Sequence, residues 1–132
     1  MIHIGFTGTQ RGLTSYQYDR LDELLDRGQF MIHHGDCIGA DKEMHSIARN
    51  HGHLITLHPP SINTKRAFCD YDVIMMEKVY LVRNHDIVDD TFSLIACPGE
   101  IRPKRRSGTW ATIRYAMKLS KRVTIIYPRP IV

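Results

Sequence analysis

Apolar residues along this chain come in short blocks separated by polar turns, and their spacing alternates between that of a strand and that of a helix. Ile2, Ile4 and Phe6 begin a strand that stops at Thr7-Gly8-Thr9. Tyr18, Leu21, Leu24 and Leu25 then share one face of a helix, with Asp19, Asp22, Glu23 and Asp26 on the wet side. Ser15 is the expected cap of that helix and Gly28 its end. Phe30 to His33 reads as a second strand, and Met44, Ile47 and Ala48 mark a helix capped by Asp41 and ended by Gly52. Leu54 to Leu57 is a third strand, stopped by His58-Pro59-Pro60. Residues 61–78 follow neither period; within them Lys65 and Arg66 are candidates to face a site, and Asp70-Tyr71-Asp72 is expected on the surface. Tyr80 to Asp90 is helical, with Tyr80, Ile87 and Val88 inward, and Phe92 to Cys97 is a fourth strand. Trp110, Ile113, Ala116 and Met117 define a helix from Ser107 to about Ser120, and Val123 to Tyr127 is the last strand.

This alternation predicts one α/β domain over residues 1–132. Short apolar strands joined through helices imply a doubly wound, Rossmann-like, mostly parallel five-stranded sheet, spatial order 3-2-1-4-5, with helices on both faces. In such sheets a ligand sits outside the carboxyl ends of the strands, where the winding reverses. Three glycine-bearing turns should meet there: Thr7–Gly12, Gly35–Asp41 and Pro98–Thr109.

The third turn carries the clearest chemistry. The run Leu94-Ile95-Ala96-Cys97 ends at Pro98-Gly99, a basic loop with Arg102, Lys104, Arg105 and Arg106 follows, and Ser107-Gly108-Thr109 opens the next helix. A helix N-terminus offers unpaired N–H groups and the positive end of the dipole; glycine admits a phosphate close to the backbone, and Ser or Thr adds a hydroxyl. This is the pattern of a phosphate-binding floor. The same residues also fit a Ser-capped helix after a solvated basic loop.

Charge points the same way. Residues 101–132 hold nine Lys/Arg and no acidic residue, a net +9, whereas residues 1–100 hold nine Lys/Arg against fourteen Asp/Glu, a net −5. Such asymmetry suits a polyanionic partner, and its place beside a glycine turn favours a nucleotide over nucleic acid or a membrane. Cys37, Cys69 and Cys97 are an odd, widely spaced set that favours free thiols and a cytoplasmic setting. No apolar run is long enough to cross a membrane, and no secretion signal is expected. Among eight histidines, no pair has the spacing of a zinc-binding helix, and the adjacent His33 and His34 should face opposite sides of a strand. No metal site and no cofactor is expected.

The segments His34-Gly35-Asp36-Cys37-Ile38-Gly39-Ala40-Asp41 and Arg106-Ser107-Gly108-Thr109-Trp110-Ala111-Thr112-Ile113-Arg114-Tyr115-Ala116 resemble the YspA-like branch of the SLOG superfamily. That superfamily also holds the Lonely Guy (LOG) phosphoribohydrolases and the Rossmannoid domain of DNA-processing protein A. YspA-like members are common in bacteria and their phages. The resemblance covers most of the chain and implies a Rossmannoid that binds a nucleotide or nucleotide-derived ligand. Tyr80-x-x-Arg83-Asn84-x-x-Ile87 is similar to the Lonely Guy helix motif, with its arginine kept. Pro98-Gly99 and Gly108-Thr109 match the ends of Pro-Gly-Gly-x-Gly-Thr-x-Glu-Glu, but a basic insertion separates them and the two glutamates become Ala111 and Thr112. An oxocarbenium-like sugar needs a carboxylate nearby, so the usual N-glycosidic mechanism requires another acid here.

The candidate ligand-binding residues are therefore Gly8, Thr9, Arg11, Gly35, Asp36, Gly39, Pro98, Gly99, Arg105, Arg106, Ser107, Gly108 and Thr109, and the candidate catalytic residues are Arg83 and Asp36. Asp36 could accept hydrogen bonds from a ribose or act as acid/base, or it could cap the turn at Gly39. Arg83 could instead form a surface ion pair with Asp86. Asp41 reads as a helix cap, Trp110 as core or as a base-stacking residue, and Cys37 as a rim thiol. The leading functional expectation is a binding or sensing module for a nucleotide. The alternatives are a nucleoside 5′-monophosphate phosphoribohydrolase-like enzyme and a single-stranded nucleic-acid binder. A homo-oligomer is a further expectation, with the 107–120 helix as a candidate interface.

Overall fold

The computed structural model describes residues 1–131. Six strands form one wholly parallel sheet: β1 (His3–Gly8), β2 (Met31–His34), β3 (Leu54–Leu57), β4 (Val73–Ile74), β5 (Ser93–Cys97) and β6 (Arg122–Ile125), in the spatial order β4-β3-β2-β1-β5-β6. Four α-helices, α1 (Ser15–Leu24), α2 (Ala40–Asn50), α3 (Tyr80–Asp89) and α4 (Gly108–Lys118), make the connections except that from β3 to β4, which holds only a short 3-10 helix, Asn63–Lys65. The architecture is the expected Rossmann-like α/β fold, with six strands rather than five. The additional strand is Val73–Ile74, two exposed residues that pair with Thr56 and Leu57 at the sheet edge. Two residues cannot display a period, which is why the sequence of 61–78 hid them.

β5 shows how the sheet is covered on both sides. Ile95 and Cys97 pack with Phe6, Leu21, Leu25, Met44 and Ile47 under α1 and α2. Leu94 joins Ile87 and Ala116, and Ala96 joins Trp110 and Ile113, under α3 and α4. Successive side chains leave opposite faces of a strand, so an unbroken apolar run marks a strand buried on both. Each fully buried Leu, Ile or Met contributes about 1.5–3 kcal/mol.

Helix ends depart from the expectations in detail. Thr14, not Ser15, caps α1: its hydroxyl accepts from the Gln17 N–H, and the Gln17 side chain accepts from the Thr14 N–H, each at 3.1 Å. The helix ends at Leu24, ahead of Gly28. Gly39, not Asp41, is the cap position of α2, with φ of 87°; Asp41 lies in the first turn. Tyr18, expected inward, is exposed, whereas Gln17 is fully buried. All three cysteines are free thiols. Among the described residues, no helix is long and apolar enough to cross a membrane.

Gln17 ties α1 to two strands at once. Its side-chain amide donates to the carbonyls of Pro98, at 2.8 Å, and Ile126, at 2.9 Å. Gln17→Met keeps the volume but strands both carbonyls, and each stranded carbonyl should cost about 1–3 kcal/mol in denaturant unfolding. An unchanged midpoint would show that α1 is not anchored this way.

Candidate functional site

The winding reverses between β1 and β5: α1 and α2 cover one face, α3 and α4 the other. The loops after these strands part at their carboxyl ends and leave a cleft of about 410 Å³. Thr7–Gln10, Gly35, Cys37, Asp41, Gly99, Glu100 and Ser107–Thr109 line it, together with Tyr80, Arg83, Asn84 and Ile87 of α3.

Close backbone approach fixes the loops to one another. The Thr9 N–H donates to Cys97 O at 3.2 Å, and the Ala40 N–H donates to Thr9 O at 3.0 Å. A side chain at Gly8 would strike the Ala40 methyl, and one at Gly39 would strike the backbone of Gln10. Gly39 also needs its positive φ, so its glycine is set by the fold. Gly108 is different. Its φ is not positive, and a side chain there would meet only Asn84, which also lines the cleft, at 3.9 Å. Among the described residues nothing requires glycine at this position.

Gly108 is the first residue of α4. Ser107 caps the helix, its hydroxyl accepting from the Trp110 N–H at 3.2 Å. Helix geometry leaves the Gly108 and Thr109 N–H groups without intrahelical acceptors at the cleft wall. The indole of Trp110 packs beside Ala96 and Ile113 and donates to Glu100 at 3.0 Å, so Trp110 is a core residue.

Opposite this wall lies a buried guanidinium. Arg83 is 5% exposed, donates to the carbonyls of Gly35 and His58 and to Asn84 Oδ1, and packs over the Tyr80 ring. A side chain at Gly35 would collide with it. The expected surface pair with Asp86 does not form; Asp86 pairs with Lys78 at 2.6 Å. The Asp41 carboxylate is buried beside Arg83 and accepts from the Cys37 N–H at 3.2 Å. Burial pushes its pKa up to about 6, against the opposing pull of Arg83. Burial, aided by Asp41, also raises the Cys37 thiol, which leaves it protonated rather than nucleophilic.

The other candidates are engaged elsewhere. Asp36 is fully buried, at φ of 54°, outside the cleft lining; its carboxylate holds Arg66 Nε at 2.7 Å and the Cys69 N–H at 2.9 Å. Arg66 thus braces the 61–78 segment against the second loop, and Lys65 is exposed. Arg11 reaches over Gly99 to Glu100 at 2.6 Å, a clamp between the first and third loops. Arg105 and Arg106 are exposed and, like Gly39 and Pro98, do not line the cleft. Sequence reasoning missed Asn84, Glu100 and the cleft-facing position of Asp41. The last had a signal, since an acid at the second residue of a helix beside a glycine turn is placed at the same rim.

No protein-family model and no curated protein matches the chain. Solved structures do. The X-ray structure of TM1055 superposes with a TM-score of 0.71 at 18% identity, over 93% of this chain and 72% of that one. The molybdenum cofactor binding protein from the phototrophic bacterium Rippkaea orientalis superposes with a TM-score of 0.76 at 19% identity, over 97% of this chain and 77% of that one. At these identities the likeness shows a shared Rossmann-like fold, and it spans nearly the whole of this chain.

Proposed function

We propose that the cleft binds a nucleotide or nucleotide-derived ligand by its phosphate, seated on the N-terminus of α4, and that the chain is a binding or sensing module of the SLOG type. The observation that carries this reading is Gly108. It opens a helix at the winding reversal of a parallel sheet, faces the cleft, and has no packing or backbone reason to be glycine. A phosphate approaching the Gly108 and Thr109 N–H groups supplies the reason. Thr109 and the Thr7–Gln10 turn line the same cleft. The similar structure of a molybdenum cofactor binding protein supports the use of this fold to hold a small molecule. Arg105 and Arg106 act through solvent and raise the local potential.

A second reading, N-glycosidic cleavage of a nucleoside 5′-monophosphate, is favoured by Asp41. Ala111 and Thr112 supply no carboxylate, and the Thr112 hydroxyl is turned back to the Gly108 carbonyl at 2.8 Å. Asp41 offers one inside the cleft, next to Arg83, with a pKa of about 6 that suits a general acid near neutral pH.

Calorimetric titration with a nucleotide panel tests the first reading. Gly108→Val should abolish the binding heat of the best ligand while leaving α4 folded. Arg106→Ala should shift affinity by less than about 1 kcal/mol, as for an exposed charge. Equal binding by wild type and Gly108→Val would move the phosphate seat elsewhere. Incubation with monophosphates and chromatography for free base separates the second reading from the first. If base is released, Asp41→Asn should slow turnover by about 10²–10⁴-fold; if none is, the chain binds without cleaving.

The same aspartate has a stability signature. Its folded pKa of about 6 lies above its ordinary 3.8. The folded state therefore holds more protons in that window, and this group's contribution weakens as pH rises through it. His33 and His58, lowered by burial to about 3 and about 4, act in the opposite sense, so the wild-type curve alone does not isolate Asp41. The difference does: relative to wild type, Asp41→Asn should gain about 1–3 kcal/mol between the acid and neutral ends of the window. A flat difference would mean that Asp41 titrates normally.

A further inference from the structure

The parallel register brings together, on the face covered by α3, histidines of β1 and β2 and the one that directly follows β3. Gly5 of β1 lies beside His33 of β2, and His33 beside Thr56 of β3. His3, two residues before Gly5, and His58, two after Thr56, therefore project to the same side as His33. The rings form a ladder: His3 Nδ1 to His33 Nε2 at 2.8 Å, and His33 Nδ1 to His58 Nε2 at 2.8 Å. Asp90 caps the carboxyl end of α3, and its carboxylate lies with one nitrogen each of His33 and His58 in a group whose ligand atoms are all within 4.8 Å of one another.

We propose that His33, His58 and Asp90 form a binding site for a divalent transition-metal ion of the zinc class, with His3 orienting His33 from behind.

Two imidazoles and one carboxylate are a donor set for such an ion, and three protein ligands leave a coordination position open to solvent on the exposed Asp90 side. Both rings are buried, and their side-chain hydrogen bonds run to neighbouring imidazoles rather than to a carboxylate. The protons can also be arranged to suit. With the His33 proton on Nε2, donated to His3, Nδ1 presents its lone pair. The His58 proton moves from Nε2 to Nδ1 when the ion takes its place, so no charge is stranded. The 2.8 Å separation has to open by a few tenths of an ångström to admit two bonds of about 2.0–2.1 Å. Asp90 shares the last turn of α3 with two further acids, Asp86 and Asp89. Asp86 is neutralised by Lys78 and Asp89 accepts from the Tyr115 hydroxyl, whereas the Asp90 carboxylate has no such partner among the described residues.

A second group, His34, His45 and Cys69, is equally compact but chemically wrong for an ion. The Asp36 N–H donates to His34 Nδ1, so the His34 proton sits on Nε2 and points at His45 Nδ1, and the His45 proton points in turn at Asp70. Binding there would strip a proton from His34. The ladder on the other face has no backbone donor to lock it.

The site adjoins the cleft without entering it. The His58 carbonyl accepts from Arg83 at 3.1 Å, so an ion that holds His58 also steadies the guanidinium.

Titration of chelator-treated protein with Co²⁺ tests the proposal. One equivalent should bind and give the visible bands of a nitrogen and oxygen site, without a near-ultraviolet thiolate band. Zn²⁺ should displace it and raise the melting midpoint. His58→Ala should abolish the signal. Asp90→Asn and His3→Ala alter exposed residues and keep the fold; each should weaken Co²⁺ binding by about 10–100-fold. The proposal is overturned if neither ion binds, if binding survives His58→Ala unchanged, if Asp90→Asn and His3→Ala both bind Co²⁺ as wild type does, or if a thiolate band appears and is lost in Cys69→Ser.

Discussion

The cleft depends on where one guanidinium is held. Arg83 reaches from the first turn of α3 to the carbonyls of Gly35 and His58, at the ends of two different strands. A cation removed from water costs several kcal/mol unless its surroundings replace the lost hydration. Here two carbonyls, the Asn84 amide oxygen and the Asp41 carboxylate do so. Such an arrangement adds little net stability, but it permits few geometries. It sets the distance between α3 and the second loop, and that distance is one dimension of the cleft.

The other dimension is set by what glycine permits. Gly8, Gly35, Gly39 and Gly99 each lie where a side chain would strike a neighbouring loop, helix or arginine. They allow three loops from three strands to be stacked at one rim. Gly108 alone among the cleft glycines leaves room for a side chain, whose nearest neighbour would be Asn84 at an ordinary contact distance of 3.9 Å. A fold-imposed glycine and a ligand-imposed one look alike along the chain; the distance to the next atom separates them.

Histidine use follows the sheet. Five of the eight histidines are buried. The pleat divides the adjacent pair His33 and His34: the first joins the ladder under α3, the second a one-way chain of hydrogen bonds under α2 that ends at Asp70. Among the described residues no buried side-chain nitrogen or oxygen lacks a partner. A polar interior is tolerated only when it is paired in this way. The pairing holds the second and third strands in register at the side of the cleft.

Much of this was legible from local pattern. The strands β1, β2, β3, β5 and β6 and the four helices follow from apolar spacing, because burial on one face or two is written into the period of each segment. The parallel order of those five strands follows from the handedness of their connections. The α4 cap follows from Ser107-Gly108-Thr109. Partnership was not legible. Asp36 and Asp41 look alike in sequence, yet Arg66, thirty residues on, occupies the first and leaves the second at the cleft. Arg83 and Asp86 have ion-pair spacing on one helix, yet Gly35 takes the arginine inward and Lys78 takes the aspartate. β4 is too short to show a period at all. Local periodicity determined which segments are strands and helices, since it reports each residue's burial. Only the tertiary structure decided which charge meets which, since that depends on contacts between residues far apart in the chain.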